Sequence, residues 1–143
     1  MGKIVWYAGG YAGGLLTGSW ASIWNSTGTT RLAGVANLSA AGSEPAEVHN
    51  AGGAMHYAPL DGGSVSLAAG VYMVAWRHNY TASPADGPQI LQYENSFGSP
   101  PNTLALNTVK RFGYISAASS TLPASISGVL TDGGNRFWVG LAT

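Results

Sequence analysis

Three histidines, six carboxylates and a large stock of serines are the residues of this chain that could carry chemistry, and their spacing decides which kind. His49, His56 and His78 lie far apart, and none stands in the HExxH spacing that presents two imidazoles to zinc from one helix face. Folding could still gather them, but core or surface histidines with ordinary hydrogen bonds are the simpler expectation. A glycosidase needs two carboxylates flanking the bond it cuts. The acids available are Glu44, Glu47, Asp61, Asp86, Glu94 and Asp132, and each falls in or beside an expected turn, where acids serve the backbone. Serines abound, yet no Gly-x-Ser-x-Gly elbow is present and no base is placed to activate a hydroxyl. The absence of cysteine removes disulfides, thiolate metal sites and cysteine nucleophiles together. The glycine pairs at 9–10 and 13–14 are not phosphate loops, because neither is followed by Lys-Ser or Lys-Thr. Asp61-Gly62-Gly63 and Thr131-Asp132-Gly133-Gly134-Asn135 offer too few carboxylates for the roughly six to eight oxygen ligands of calcium. No enzymatic activity, metal or cofactor is therefore expected.

Aromatic side chains outside the strand alternation are the better candidates. Tyr11, Tyr80, Tyr93 and Phe97 fall in or next to glycine- and proline-rich stretches, where the core does not obviously need a ring. Such rings stack on the apolar faces of sugars, with Asp, Asn and Gln nearby to take the hydroxyls. Tyr80, Asp86, Gln92, Tyr93, Glu94 and Asn95 form the most sugar-like set. The competing expectation is that these rings cover sheet edges or pack between subunits.

The elements that must position these residues follow from composition and periodicity. The chain has 143 residues, enough for one domain (residues 1–143) with a real core. Its 21 glycines and scarcity of charge point away from helices with charged outer faces and toward an all-β fold. Formal net charge is zero and the six Lys and Arg are scattered apart from Lys110-Arg111, so the footprint of a nucleic-acid binder is missing. No apolar run approaches the ~20 residues of a membrane-spanning helix, and no membrane insertion is expected. Met1-Gly2-Lys3 runs straight into the strand-like Ile4-Val5-Trp6-Tyr7, unlike a signal peptide.

Ser64 to Asn79 reads as the central element. From Val71 onward Tyr72, Val74 and Trp76 share one face of an extended strand and Val71, Met73 and Ala75 the other. An apolar run on both faces suits a central strand, packed on one side by a second sheet and on the other by neighbours or a partner chain. Gly70 before it is free to take a positive φ. Further strands are expected at Ile4 to Ala8, Ser19 to Trp24 with a hairpin return from Thr29 to Leu38, and Met55 to Leu60. Others follow at Gln89 to Tyr93, Arg111 to Ser116 and Arg136 to Leu141, with Leu104 to Lys110 undecided. Asn25-Ser26-Thr27-Gly28 is the hairpin turn, while Thr81 to Gly87 and Asn95 to Asn102 are long loops. About eight short strands indicate a jelly-roll-like antiparallel β-sandwich.

Six segments recur in order in a known group of proteins: Leu15 to Ser19, Ala21 to Thr29, Leu67 to Ala75, Arg111 to Tyr114, Thr121 to Ile126 and Phe137 to Leu141. On these the chain resembles the C-terminal β-sandwich domain of minor tail or tail-fibre proteins of phages infecting actinobacteria. Asn25 stands where aspartate is usual and Trp24 where tyrosine is usual, and neither change disturbs the turn. No catalytic residue comes with the resemblance. It implies a virion location, assembly into a homo-oligomer, a trimer by expectation, contact with other virion proteins, and contact with host cell-envelope glycan. A capsid decoration or head-fibre protein of similar fold, and a carbohydrate-binding module or lectin-like domain, are the alternatives.

Overall fold

The structure, a computed structural model, describes residues 1–9, 15–40, 54–80, 89–90, 92–95, 113–114, 119–126, 131–132 and 135–143. These hold eleven strands: β1 (Lys3–Gly9), β2 (Trp20–Asn25), β3 (Arg31–Val35), β4 (Ala54–Pro59), β5 (Tyr72–Arg77), β6 (Gln89–Ile90), β7 (Gln92–Asn95), β8 (Gly113–Tyr114), β9 (Thr131–Asp132), β10 (Asn135–Phe137) and β11 (Val139–Ala142). No helix occurs among the described residues. The fold is all-β and every pairing is antiparallel. One main sheet runs β11-β1-β4, with β6 continuing the β11 side of β1 at Ala8 and Gly9; the other runs β3-β2-β5. Two small ribbons, β10-β7 and β8-β9, complete the set.

Strand periodicity explains how the two sheets meet. On β1 Ile4 and Trp6 are buried while Lys3, Val5 and Tyr7 are only partly covered; on β4 His56 and Ala58 are buried while Met55, Tyr57 and Pro59 are exposed. The inward residues meet Ala21 and Ile23 of β2, Val35 of β3 and the Tyr72, Val74 and Trp76 face of β5, with Leu15, Leu38 and Leu60 closing the ends. This is the sandwich-like core. The turns around it obey the local chemistry of their residues. Gly28 takes φ 71° in the β2-β3 hairpin, whose tip is tied by Asn25 Oδ1 accepting from the Thr29 and Thr30 amides at 2.9 and 3.2 Å. Positive φ also occurs at Gly18 and Gly63, not at Gly70.

Two expectations are corrected. The middle of its sheet is β2, not the strand within Ser64 to Asn79: β2 pairs with β3 on one edge and β5 on the other, and its residues from Trp20 to Trp24 are all buried, whereas β5 is half-buried throughout. The continuous strand expected over Arg136 to Leu141 is two strands in different sheets. β10 pairs with β7, its register shifts between Arg136 and Phe137, and the chain passes through Trp138 before β11 joins β1. The break turns Val139 and Leu141 into the core while Phe137 sets its ring edge-on to Trp76, centroids 5.8 Å apart.

The second face of the β3-β2-β5 sheet is covered by the chain itself. Residues 119–126 lie across it and bury Ile126 against Trp20 and Trp24, with Leu122, Met73 and Ala75 around them. Polar anchors hold this strap: Trp20 Nε1 donates to Ser119 O at 3.0 Å, Arg31 Nη1 to Leu122 O at 3.0 Å, the Arg31 amide to Ala124 O at 3.2 Å and the Ile126 amide to Gly28 O at 2.8 Å. Each buried tryptophan removes about 200 Å² from water, on the order of 5 kcal/mol as an upper bound.

Gly34 is the tightest point of the sheet. It stands opposite Ser22, whose hydroxyl donates to Ala33 O, and a Cβ at Gly34 would lie 2.6 Å from Ser22 Oγ and 2.7 Å from Ser22 Cβ. Gly34→Ala is expected to destabilise the protein by about 1–3 kcal/mol, the usual cost of overpacking. Thermal melting checks this. Ser22→Ala in the same chain should not restore the loss, because the Cβ to Cβ conflict remains.

Candidate functional site

Tyr80, first of the expected sugar-binding residues, is exposed just beyond β5. The backbone beneath it is firmly held. The Asn79 amide donates to Ser19 Oγ at 2.8 Å, Asn79 Nδ2 to Thr17 O at 2.8 Å and the Leu16 amide to Asn79 O at 2.8 Å. Arg77 Nη1 donates to Gly18 O at 2.5 Å, a close approach that Gly18, at φ 92°, allows. A cation and an amide thus fasten the turn at residues 15–19 to the end of β5, giving Tyr80 a rigid mounting.

Four of the remaining candidates lie on one strand. Gln92, Tyr93, Glu94 and Asn95 form β7, which pairs with β10 in the register Asn95 with Asn135, Glu94 with Arg136 and Gln92 with Phe137. Asn95, expected to open a long loop, is the last residue of this strand. Consecutive strand positions belong to opposite faces, so these four are not one continuous lining. Asp86 lies outside the described residues, as do Tyr11, Phe97, His49, the loop expected from Thr81 to Gly87 and all but the first residue of the loop expected from Asn95 to Asn102. β5, which Tyr80 follows, and β7 belong to different sheets, and Phe137 of β10 meets Trp76 of β5.

Sequence reasoning passed over a second set of exposed aromatics. On the outer face of the β11-β1-β4 sheet, Met55 and Tyr57 are 54% and 55% exposed. Tyr57 stands opposite Val5, and Val5 stands opposite Gly140 on the other side. A Cβ on Gly140 would point along this outer face, 3.9 Å from Val5 Cβ and 3.4 Å from the ring of Trp138, so that ring lies over the bare glycine. Lys3 holds its ammonium 5.0 Å from the centre of the Tyr57 ring. The signal was present in the alternation of Met55, Tyr57 and Pro59 with His56, Ala58 and Leu60, which assigns two large apolar residues to the solvent side.

Histidine chemistry is also localised. His56 faces Trp6 across the β1-β4 ladder, and the His78 ring meets Trp6 edge-on at 6.2 Å. His78 Nε2 is enclosed although the residue as a whole is half-buried, and desolvation lowers its pKa from 6.5 to about 4. No group of three metal-ligating side chains occurs among the described residues. These two imidazoles belong to the packing around Trp6 rather than to a ligand set.

The described residues form an all-β, sandwich-like fold that carries exposed aromatic side chains. No protein-family model, curated protein or solved structure matches the chain.

The buried imidazole sets a pH dependence. The unfolded chain takes a proton on His78 near pH 6.5 but the folded chain only near pH 4, so between these values the unfolded state binds more protons. Stability from this group is complete above pH 6.5 and falls as the pH drops toward 4, by no more than about 3 kcal/mol. Denaturant unfolding of wild type and His78→Phe across this window checks it: the variant should show the shallower slope.

Proposed function

We propose that this chain is a non-enzymatic structural domain of a phage virion, a jelly-roll-like tail-fibre or minor tail domain that assembles with copies of itself and meets glycan on the host surface. The observation that carries the reading is the way the resembling segments interlock. Ala21 to Thr29 supplies most of β2 and the hairpin turn, and Leu67 to Ala75 supplies most of the strand beside it. Thr121 to Ile126 is the strap across both, bonded to the turn through Gly28 O by the Ile126 amide at 2.8 Å and by Ser125 Oγ at 3.0 Å. A pattern weak in each piece is stronger when its pieces are mutually packed parts of one unit. The interleaved pairing of β1 with β4 and β2 with β5 supports the jelly-roll assignment.

Trimer formation accords with the lack of disulfides, since subunit contact supplies stability that cross-links do not. The second apolar face of β5, which suited neighbours or a partner chain, is occupied by the chain's own strap. Leu32, Val71 and Phe137 are exposed apolar residues on or near that sheet. A glycan contact of one or two rings is weak, so attachment depends on several copies acting together on a dense surface.

Light scattering at micromolar concentration should give a mass of about 44 kDa, three times the 14.6 kDa chain. A species of single-chain mass alone would end the trimer assignment. The oligomer should sediment with actinobacterial cell-wall material, and Tyr80→Ala with Tyr93→Ala should weaken this at least tenfold without moving the melting curve. Equal sedimentation of a folded double variant would remove these two tyrosines from the site.

A further inference from the structure

From the geometry of the β11-β1-β4 outer face we infer a second binding surface, an aromatic platform for an extended polysaccharide that carries acid groups. It goes beyond the virion reading, because it assigns a ligand to a face outside the expected site and holds whatever particle or cell displays the domain. Six residues make it: Tyr57 and Met55 on β4, Lys3 and Val5 on β1, Gly140 on β11 and Trp138 leading into β11. The inner residues of the same strands, Ile4, Trp6 and Ala58, are wholly buried. The outer ones therefore add little to the main core.

The area of the face argues against a second copy as its occupant. Three strands at about 4.8 Å spacing and five residues at about 3.3 Å rise cover on the order of 250 Å². Two such faces together would bury about 500 Å², below the roughly 1,000 Å² that a stable protein interface needs. A footprint of this size suits two or three sugar rings.

Its profile suits them as well. Tyr57 and the Trp138 ring, which lies over Gly140, stand on either side of Val5 on this face. The strands β4 and β11 that bear them lie two strand spacings apart, roughly 9–10 Å, comparable to one disaccharide unit of an extended chain. Rings present π faces to the axial C–H groups of a sugar, and Trp138 adds an indole N–H at the rim.

Charge selects among polysaccharides. Lys3 is the single charged residue among the six, and its ammonium lies over one face of the Tyr57 ring, attracted by the ring's quadrupole. A carboxylate, sulfate or phosphate on a sugar seated against Tyr57 would meet this cation with no acid of the platform opposing it. Neutral glycans would keep only the stacking.

Affinity electrophoresis of the intact chain in native gels containing alginate, hyaluronan or dextran tests this. Retardation by at least one of the two polyuronates, at least threefold stronger than by dextran, is expected. Tyr57→Ala and Trp138→Ala should each weaken it at least tenfold, and Lys3→Gln should erase the preference over dextran. Melting curves of the three variants, together with a Trp138→Phe variant that keeps a stacking ring and much of the retardation, separate binding from misfolding. Tyr80→Ala with Tyr93→Ala should leave retardation unchanged, which distinguishes this surface from the site proposed above. The platform is overturned if wild type is not retarded by either polyuronate or if Tyr57→Ala and Trp138→Ala bind as wild type does. It is equally overturned if those variants instead change the oligomeric mass, which would make the face a contact between copies.

Discussion

Burial of β2 on both faces is the constraint around which this molecule is built. A strand that carries Ala21 and Ile23 on one side and Trp20 and Trp24 on the other needs two separate covers over the same six residues. The first is the β11-β1-β4 sheet and the second is the strap at 119–126, which come from distant parts of the chain. Neither cover is stapled by a disulfide. Each is held by apolar contact and by donors aimed at carbonyls, so loss of one exposes a face of β2 and weakens the hold on the other.

Arg31 and Arg77 show how a chain with few charges uses them. Both direct a guanidinium nitrogen at backbone carbonyls, Arg31 at Leu122 and Pro123 in the strap and Arg77 at Gly18 in the turn before β2. Irregular segments leave carbonyls without ladder partners, and a charged donor satisfies them more strongly than a neutral one. Two cations thereby fix the two segments that close over the tryptophans. The hairpin tip uses uncharged groups instead, with Asn25, Thr27 and Thr29 bonded to one another.

The alternation within β5 was legible in the sequence: Tyr72, Val74 and Trp76 do face the main core, and Met73 and Ala75 the other side. Its place in the sheet was not, because which strand lies in the middle depends on long-range pairing that periodicity does not encode. Ser22 also concealed the rank of β2. A serine between two tryptophans reads as a solvent-facing position, yet its hydroxyl is bonded to Ala33 O and sits in the space that Gly34 leaves. Phe137 to Leu141 alternate as one strand would, and only the register shift in β10 and the exchange of partners reveal two. Of the candidate site, the exposure of Tyr80 was readable from its place after the strand. Gln92 and Tyr93 were legible as strand, whereas Asn95 was assigned to the loop because Gly98, Pro100 and Pro101 follow it.

The tryptophans have an optical consequence. Trp6 and Trp76 sit with centroids 6.2 Å apart and planes at 76°, Trp20 and Trp24 at 6.1 Å and 70°, one pair in each of the two cores. Indoles this close and this steeply inclined share their electronic excitation, and the sense of the tilt gives the pair a circular dichroism that neither ring has alone. The two halves of the fold thus each contain an intrinsic chiral chromophore. A population that kept its strands but let the strap drift away would lose the Trp20–Trp24 component while retaining that of Trp6 and Trp76, so loosening of either side of β2 is visible without any label.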